Sequence, residues 1–183
     1  MKLPVIFLLM ALGVSLASAA PKVRWPRDVV EWEKLKEAKE LAQKEEKGFA
    51  FIFIPTAWDT KDSGVVRSVD ATNDAIRALK SFCVVVKGNY QEVVDASRGK
   101  ENEVPKALIT GLSGAGNSYP LVVILDGAMK TVLGKTSGND IYQEGSKLFR
   151  DAKKMHREWL KKKEEEQKTK NCLLYTSPSP RDS

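Results

Sequence analysis

Asp59 and Asp62, spaced as Asp-x-x-Asp directly after Trp58, are the first pair of side chains in this sequence with the spacing to do chemistry. Two carboxylates one helical turn apart have three ordinary uses. General acid–base work needs a raised pKa and an enclosing pocket, and nothing in the sequence reveals either. Divalent-cation binding needs more oxygen ligands than two aspartates supply. Capping needs only a helix start, where unpaired N–H groups and the positive end of the macrodipole favour carboxylates. The apolar spacing of Val65, Val66, Val69, Ile76 and Leu79 predicts such a helix over 62–80. Capping is therefore the simplest reading, with a weak metal site or a partner contact as alternatives.

The remaining reactive groups are few. The 183 residues hold two cysteines and one histidine. Cys83 lies in the apolar run Phe82-Cys-Val-Val-Val86, where a thiol is normally buried and inert. His156 stands among lysines on an expected C-terminal helix, which predicts a solvated side chain. One histidine builds neither a Ser–His–Asp triad nor a metal cluster. The stretch Gly111-Leu-Ser-Gly-Ala-Gly116 precedes a strand, whereas a phosphate loop lies between a strand and a helix, so it reads as a flexible connection. No catalytic residue, cofactor site or metal site is assigned.

The two ends differ from what lies between them. Lys2, the apolar run Val5 to Val14 and the closing Ala17-Ser-Ala19 have the layout of a secretory signal peptide over 1–19, which predicts export to a periplasm or the exterior. The run is short of the roughly 20 residues that cross a bilayer, so no transmembrane segment is expected after cleavage. Residues 20–27 read as a linker, 28–160 as the folded domain and 161–171 as a charged helical extension. Residues 172–183 share neither the composition nor the periodicity of that extension, and their codons can spell a transposase sequencing adapter. This segment, which resembles translated adapter, is set aside, and Cys172 with it. Cys83 is then the only cysteine in the domain, and the core must hold the fold without a disulfide.

A net charge of +6 is interspersed with glutamates, as in Lys161-Lys-Lys-Glu-Glu-Glu166. Alternating signs along a helix mark a solvated face rather than a nucleic-acid footprint.

The elements that would position these groups follow from periodicity. Asp28 and Glu31 have capping-box spacing, and Trp32, Leu35, Ala38, Leu41 and Ala42 continue an amphipathic helix that Gly48 is expected to stop. Phe49–Ile54, Phe82–Val86 and Pro120–Leu125 are unbroken apolar runs of strand length, the pattern of strands covered on both faces. A short helix is expected over 104–112. Asp126-Gly127 predicts a tight turn into an antiparallel strand, Lys130 to Leu133, and Asn139 onward returns to helix. The expectation is an α/β fold with a central mixed sheet of about four strands and flanking helices.

Three features in that order carry a resemblance: the Trp32 helix running into Gly48-Phe-Ala-Phe-Ile-Phe-Ile54, Trp58 just past that strand, and Asn117-Ser-Tyr-Pro120 leading into Leu-Val-Val-Ile-Leu-Asp-Gly127. Over roughly Val29 to Trp159 the chain resembles exported bacterial proteins of the thioredoxin-like superfamily. The resemblance implies a three-layer sandwich with a cis peptide before Pro120, where an extended peptide docks. It also sets Asp59 and Asp62 at the two positions of the family's Cys-x-x-Cys motif. Disulfide exchange needs one thiolate to attack and a second thiol to resolve the mixed disulfide, and a carboxylate does neither. The resulting expectation is a redox-inactive module that binds a peptide or partner protein at Trp58, Asp59, Asp62, Tyr119 and Pro120. A thiol–disulfide oxidoreductase relative, or a metal-dependent enzyme built on Asp59 and Asp62, is the alternative.

Overall fold

A computed structural model describes residues 22–55, 63–98 and 104–175. Its centre is β2 (Gly48–Phe53), a strand whose six residues are all buried. Along a strand, successive side chains point to opposite faces, and here both faces are covered. Phe49, Phe51 and Phe53 enter one core, while Ala50 and Ile52 enter the other.

Five strands make one mixed sheet, in the order β1-β3-β2-β4-β5. β1 (Val30–Glu31) and β3 (Cys83–Gly88) run parallel with β2. β4 (Leu121–Leu125) is antiparallel to β2, and β5 (Val132–Thr136) is antiparallel to β4. The register sets Phe51 between Val86 and Val123, so the three central strands contribute to the same core layer.

Helices cover both faces, giving three layers. On the side of Phe49, Phe51 and Phe53 lie α1 (Leu35–Lys44), α3 (Tyr90–Arg98) and α4 (Lys106–Leu112), contributing Ala38, Ala42, Val93, Leu108 and Leu112. On the other side lie α2 (Ser63–Leu79) and α5 (Gly138–Tyr175), contributing Ala71, Ala75, Ile76, Leu79, Ile141, Phe149 and Ala152. Among the described residues no helix is long and apolar enough to cross a membrane.

The sheet has one strand more than expected, and the difference lies at the start of the domain. Glu31 does not close a capping box. Val30 pairs with Val86, Glu31 reaches Lys87 at 2.8 Å, and a 3-10 turn over Trp32–Lys34 delays α1 to Leu35. The end of α1 also differs. Glu46, not Gly48, takes the left-handed conformation that terminates the helix (φ 52°), and the Lys47 N–H closes the turn on the Ala42 carbonyl at 3.0 Å. Gly48 is already the first residue of β2.

Candidate functional site

The expected site divides in two. Trp58, Asp59 and Asp62 lie outside the described residues. Tyr119 and Pro120 are described, on the loop that enters β4, and the peptide bond between them is cis.

That loop is held from the far side of the chain. At the start of α5 the Asp140 carboxylate reaches back to Ser137: Ser137 Oγ donates to Asp140 Oδ2 at 2.8 Å, and the Ser137 N–H donates to the same oxygen at 3.3 Å. The next amides have no helical partner, because the first turn of any helix leaves its N–H groups free. Ser118 supplies both acceptors. Its carbonyl takes the Gly138 N–H at 3.0 Å and its Oγ takes the Asn139 N–H at 3.1 Å. Residue 138 must be glycine for this approach: a Cβ there would overlap the Tyr119 carbonyl and stand 3.2 Å from Pro120 Cδ. Gly116, at φ +98°, turns the chain into the loop. The order Ser118-Tyr119-Pro120 is thus fixed against the start of α5 through two hydrogen bonds and one vacant side-chain position.

Tyr119 stands between two hollows. One, of about 220 Å³, is lined by Arg67 and Ser68 of α2, Ser118, and Gly138, Asn139 and Tyr142 of α5. The other, of about 560 Å³, lies toward Tyr90, Leu112 and Leu121. Pro120 is buried behind the ridge. No hydrogen bond is made by the backbone N–H of Tyr119 among the described residues. Chemically, such a ridge offers an aromatic ring, a free backbone donor and hydroxyl groups.

The two other groups weighed from sequence are both in the core. Cys83 is 2% exposed and makes no disulfide. Burial pushes its thiol up, against a weaker lowering by Lys47, so at neutral pH it is neutral and unreactive. His156 corrects the sequence expectation, for it is 3% exposed rather than solvated. Its ring lies between Phe82 and Trp159, with centroids at 5.8 and 5.7 Å. Nε2 is 3.2 Å from the Glu46 carbonyl. A carbonyl only accepts, so Nε2 carries the proton and Nδ1 is a bare lone pair, which finds no partner. The lysines beside it in sequence do not report its burial: Lys154 is exposed and Lys153 lays its Nζ over the Phe82 ring, while the His156 ring itself is packed inward between Phe82 and Trp159.

Ser118 and Gly138 are the positioning residues that sequence reasoning missed. Their partnership spans about twenty residues and has no local signal beyond a glycine at a helix start. Among the described residues no group of three or more His, Cys, Asp or Glu side chains could hold a metal ion. No protein-family model matches the chain, and no curated protein matches it. The functional reading therefore rests on geometry and on the sequence itself.

Proposed function

We propose that this chain is a redox-inactive thioredoxin-like module of the cell envelope that binds an extended peptide, or an extended segment of a partner protein, along the Tyr119–Pro120 edge. The observation that carries the reading is the loop itself: Tyr119 is held as a ridge between two hollows, with its backbone N–H unpaired, by Ser118 and a glycine that leaves room for it. An extended chain laid beside such an edge gains main-chain hydrogen bonds, and the flanking hollows receive alternate side chains. The strand order β1-β3-β2-β4-β5, with two parallel pairings followed by two antiparallel ones so that β4 alone runs against the rest, supports the thioredoxin-like assignment.

Loss of redox chemistry is supported by residue type. Asp59 and Asp62 stand where the resemblance sets the two cysteines, and Cys83 is sealed in the sheet. The signal-like N-terminus supports the assignment to the envelope.

Selection from a library of random extended peptides, followed by titration of the selected sequence, tests this function. Tyr119→Ala is expected to weaken binding about tenfold, the order found when an aromatic at the centre of an interface is truncated. Unchanged affinity in Tyr119→Ala, or no selectable peptide, would contradict the reading.

A further inference from the structure

The two hollows beside Tyr119 differ in size and in chemistry. The larger, about 560 Å³, is lined by no charged side chain. Its accessible apolar surface comes mainly from the half-buried rings of Tyr90, the first residue of α3, and Tyr119; Leu112 and Leu121 behind them are only 8% and 7% exposed. Both rings rest on the same core layer, so their positions are held from below. A charged side chain placed there would lose water and meet no opposite charge, whereas a large apolar one would cover the two rings.

The smaller hollow, about 220 Å³, is polar. Besides Tyr119 and Tyr142 it is lined by Arg67, Ser68, Ser118, Asn139 and Gln143, and by no carboxylate. Ser118 is half-buried, and its Oγ accepts the Asn139 N–H at 3.1 Å, which leaves the hydroxyl proton to be donated. Arg67, on the exposed face of α2, makes no ion pair among the described residues. A hydroxyl donor held in place and a guanidinium at the mouth suit a short side chain that accepts hydrogen bonds. An ammonium group would find no carboxylate there.

Tyr119 lines both hollows, so it is the divide between them. Successive side chains of an extended chain point to opposite sides. Two neighbouring residues of a peptide laid across Tyr119 therefore fall one into each hollow.

Taking the Tyr119–Pro120 edge as the peptide site proposed above, we infer that it selects a pair of adjacent residues: a large apolar side chain received against Tyr90 and Tyr119, and an aspartate received by Ser118 and Arg67. Tyr90 and Arg67 are then the specificity-determining residues, one on each side of the ridge. The order of the pair is fixed, because a peptide bound in one direction presents its first residue to one hollow only.

Fluorescein-labelled octapeptides Gly-Ser-Gly-X-Z-Gly-Ser-Gly, with X and Z each drawn from Leu, Phe, Ala, Asp and Lys, test this by anisotropy titration against the full chain. The tightest members should join Leu or Phe to Asp, in one order only. Changing the apolar residue to Ala, or the Asp to Lys, should each weaken binding about tenfold, the order seen when a central contact of an interface is lost. Arg67→Glu should reverse the preference for Asp over Lys, and Tyr90→Ala should remove most of the preference for Leu or Phe over Ala. Should Tyr90→Ala fail to fold, as judged by circular dichroism, the wild-type series and Arg67→Glu decide. Binding that is lost in Tyr119→Ala yet shows no preference at X or Z would overturn the inferred selectivity and leave the edge itself standing. Absence of binding by every member would overturn both.

Discussion

His156 shows how a single residue can be read wrongly from its neighbours in sequence and still yield a sharp expectation once its surroundings are known. Burial lowers its pKa from the ordinary histidine value, while the Glu46 carbonyl and the charge of Asp126 act in the opposite direction and offset only part of the effect. Protonation would place a second N–H at Nδ1, which faces no acceptor. The folded pKa lies below the unfolded one, so the unfolded chain takes up the proton first. The contribution of His156 to stability is thus fully present above about pH 6.5, the unfolded value, and is lost as pH falls through the folded value. Urea unfolding from pH 7.5 to pH 5 should give falling midpoints for the wild type and a flatter profile for His156→Gln, which keeps a donor for Glu46 but does not titrate; parallel profiles would refute this. Sequence alone could not place His156, because helical periodicity names a face only when the neighbours of that face are known. Cys83 was legible for the opposite reason. Its whole neighbourhood, Phe82 to Val86, is apolar, so any strand through it buries the thiol.

Elements were legible where apolar residues ran unbroken. β2, β3 and β4 fall within one or two residues of the spans expected from Phe49–Ile54, Phe82–Val86 and Pro120–Leu125. β1 was hidden, since a two-residue strand has no period to detect and its Glu31 mimics a helix cap. α3 was also invisible: only Val93 is buried in it, and its start depends on Asn89, whose Oδ1 accepts the Gln91 N–H at 2.9 Å. The Asp126 turn was correctly placed but is wider than two residues, because Asp126 Oδ1 accepts from both Ala128 and Lys130 and Met129 takes the positive φ. Two substitutions test the element boundaries. Glu46→Gly should raise stability by about 0.5–1 kcal/mol, since glycine adopts the left-handed helix-ending conformation without a Cβ penalty; a lower urea midpoint would contradict the termination described for α1. Gly138→Ala should cost about 1–3 kcal/mol, the range for a forced side chain at a close contact, and should weaken the selected peptide by displacing Tyr119. Full stability in Gly138→Ala would mean that the loop and α5 do not depend on that close approach.

At the scale of the molecule, a five-stranded mixed sheet between two helical layers keeps its interior filled without a disulfide in the described domain. The α/β class and the placement of helices between parallel strands were readable because alternation of buried runs with amphipathic segments permits few arrangements. The clamp of the Tyr119 loop on α5 was not, because it joins residues far apart in sequence through one hydrogen-bonding serine and one absent side chain. The function proposed above unites these levels as a scaffold without redox chemistry, in which the Tyr119–Pro120 loop would serve as a docking edge and Asp59 and Asp62 would stand at the positions where the resemblance expects thiols. Dithiothreitol-driven reduction of insulin tests that absence directly, with a Cys83→Ser, Cys172→Ser double variant as the zero. The wild-type chain should reduce insulin no faster than the double variant; a rate clearly above it would contradict the account.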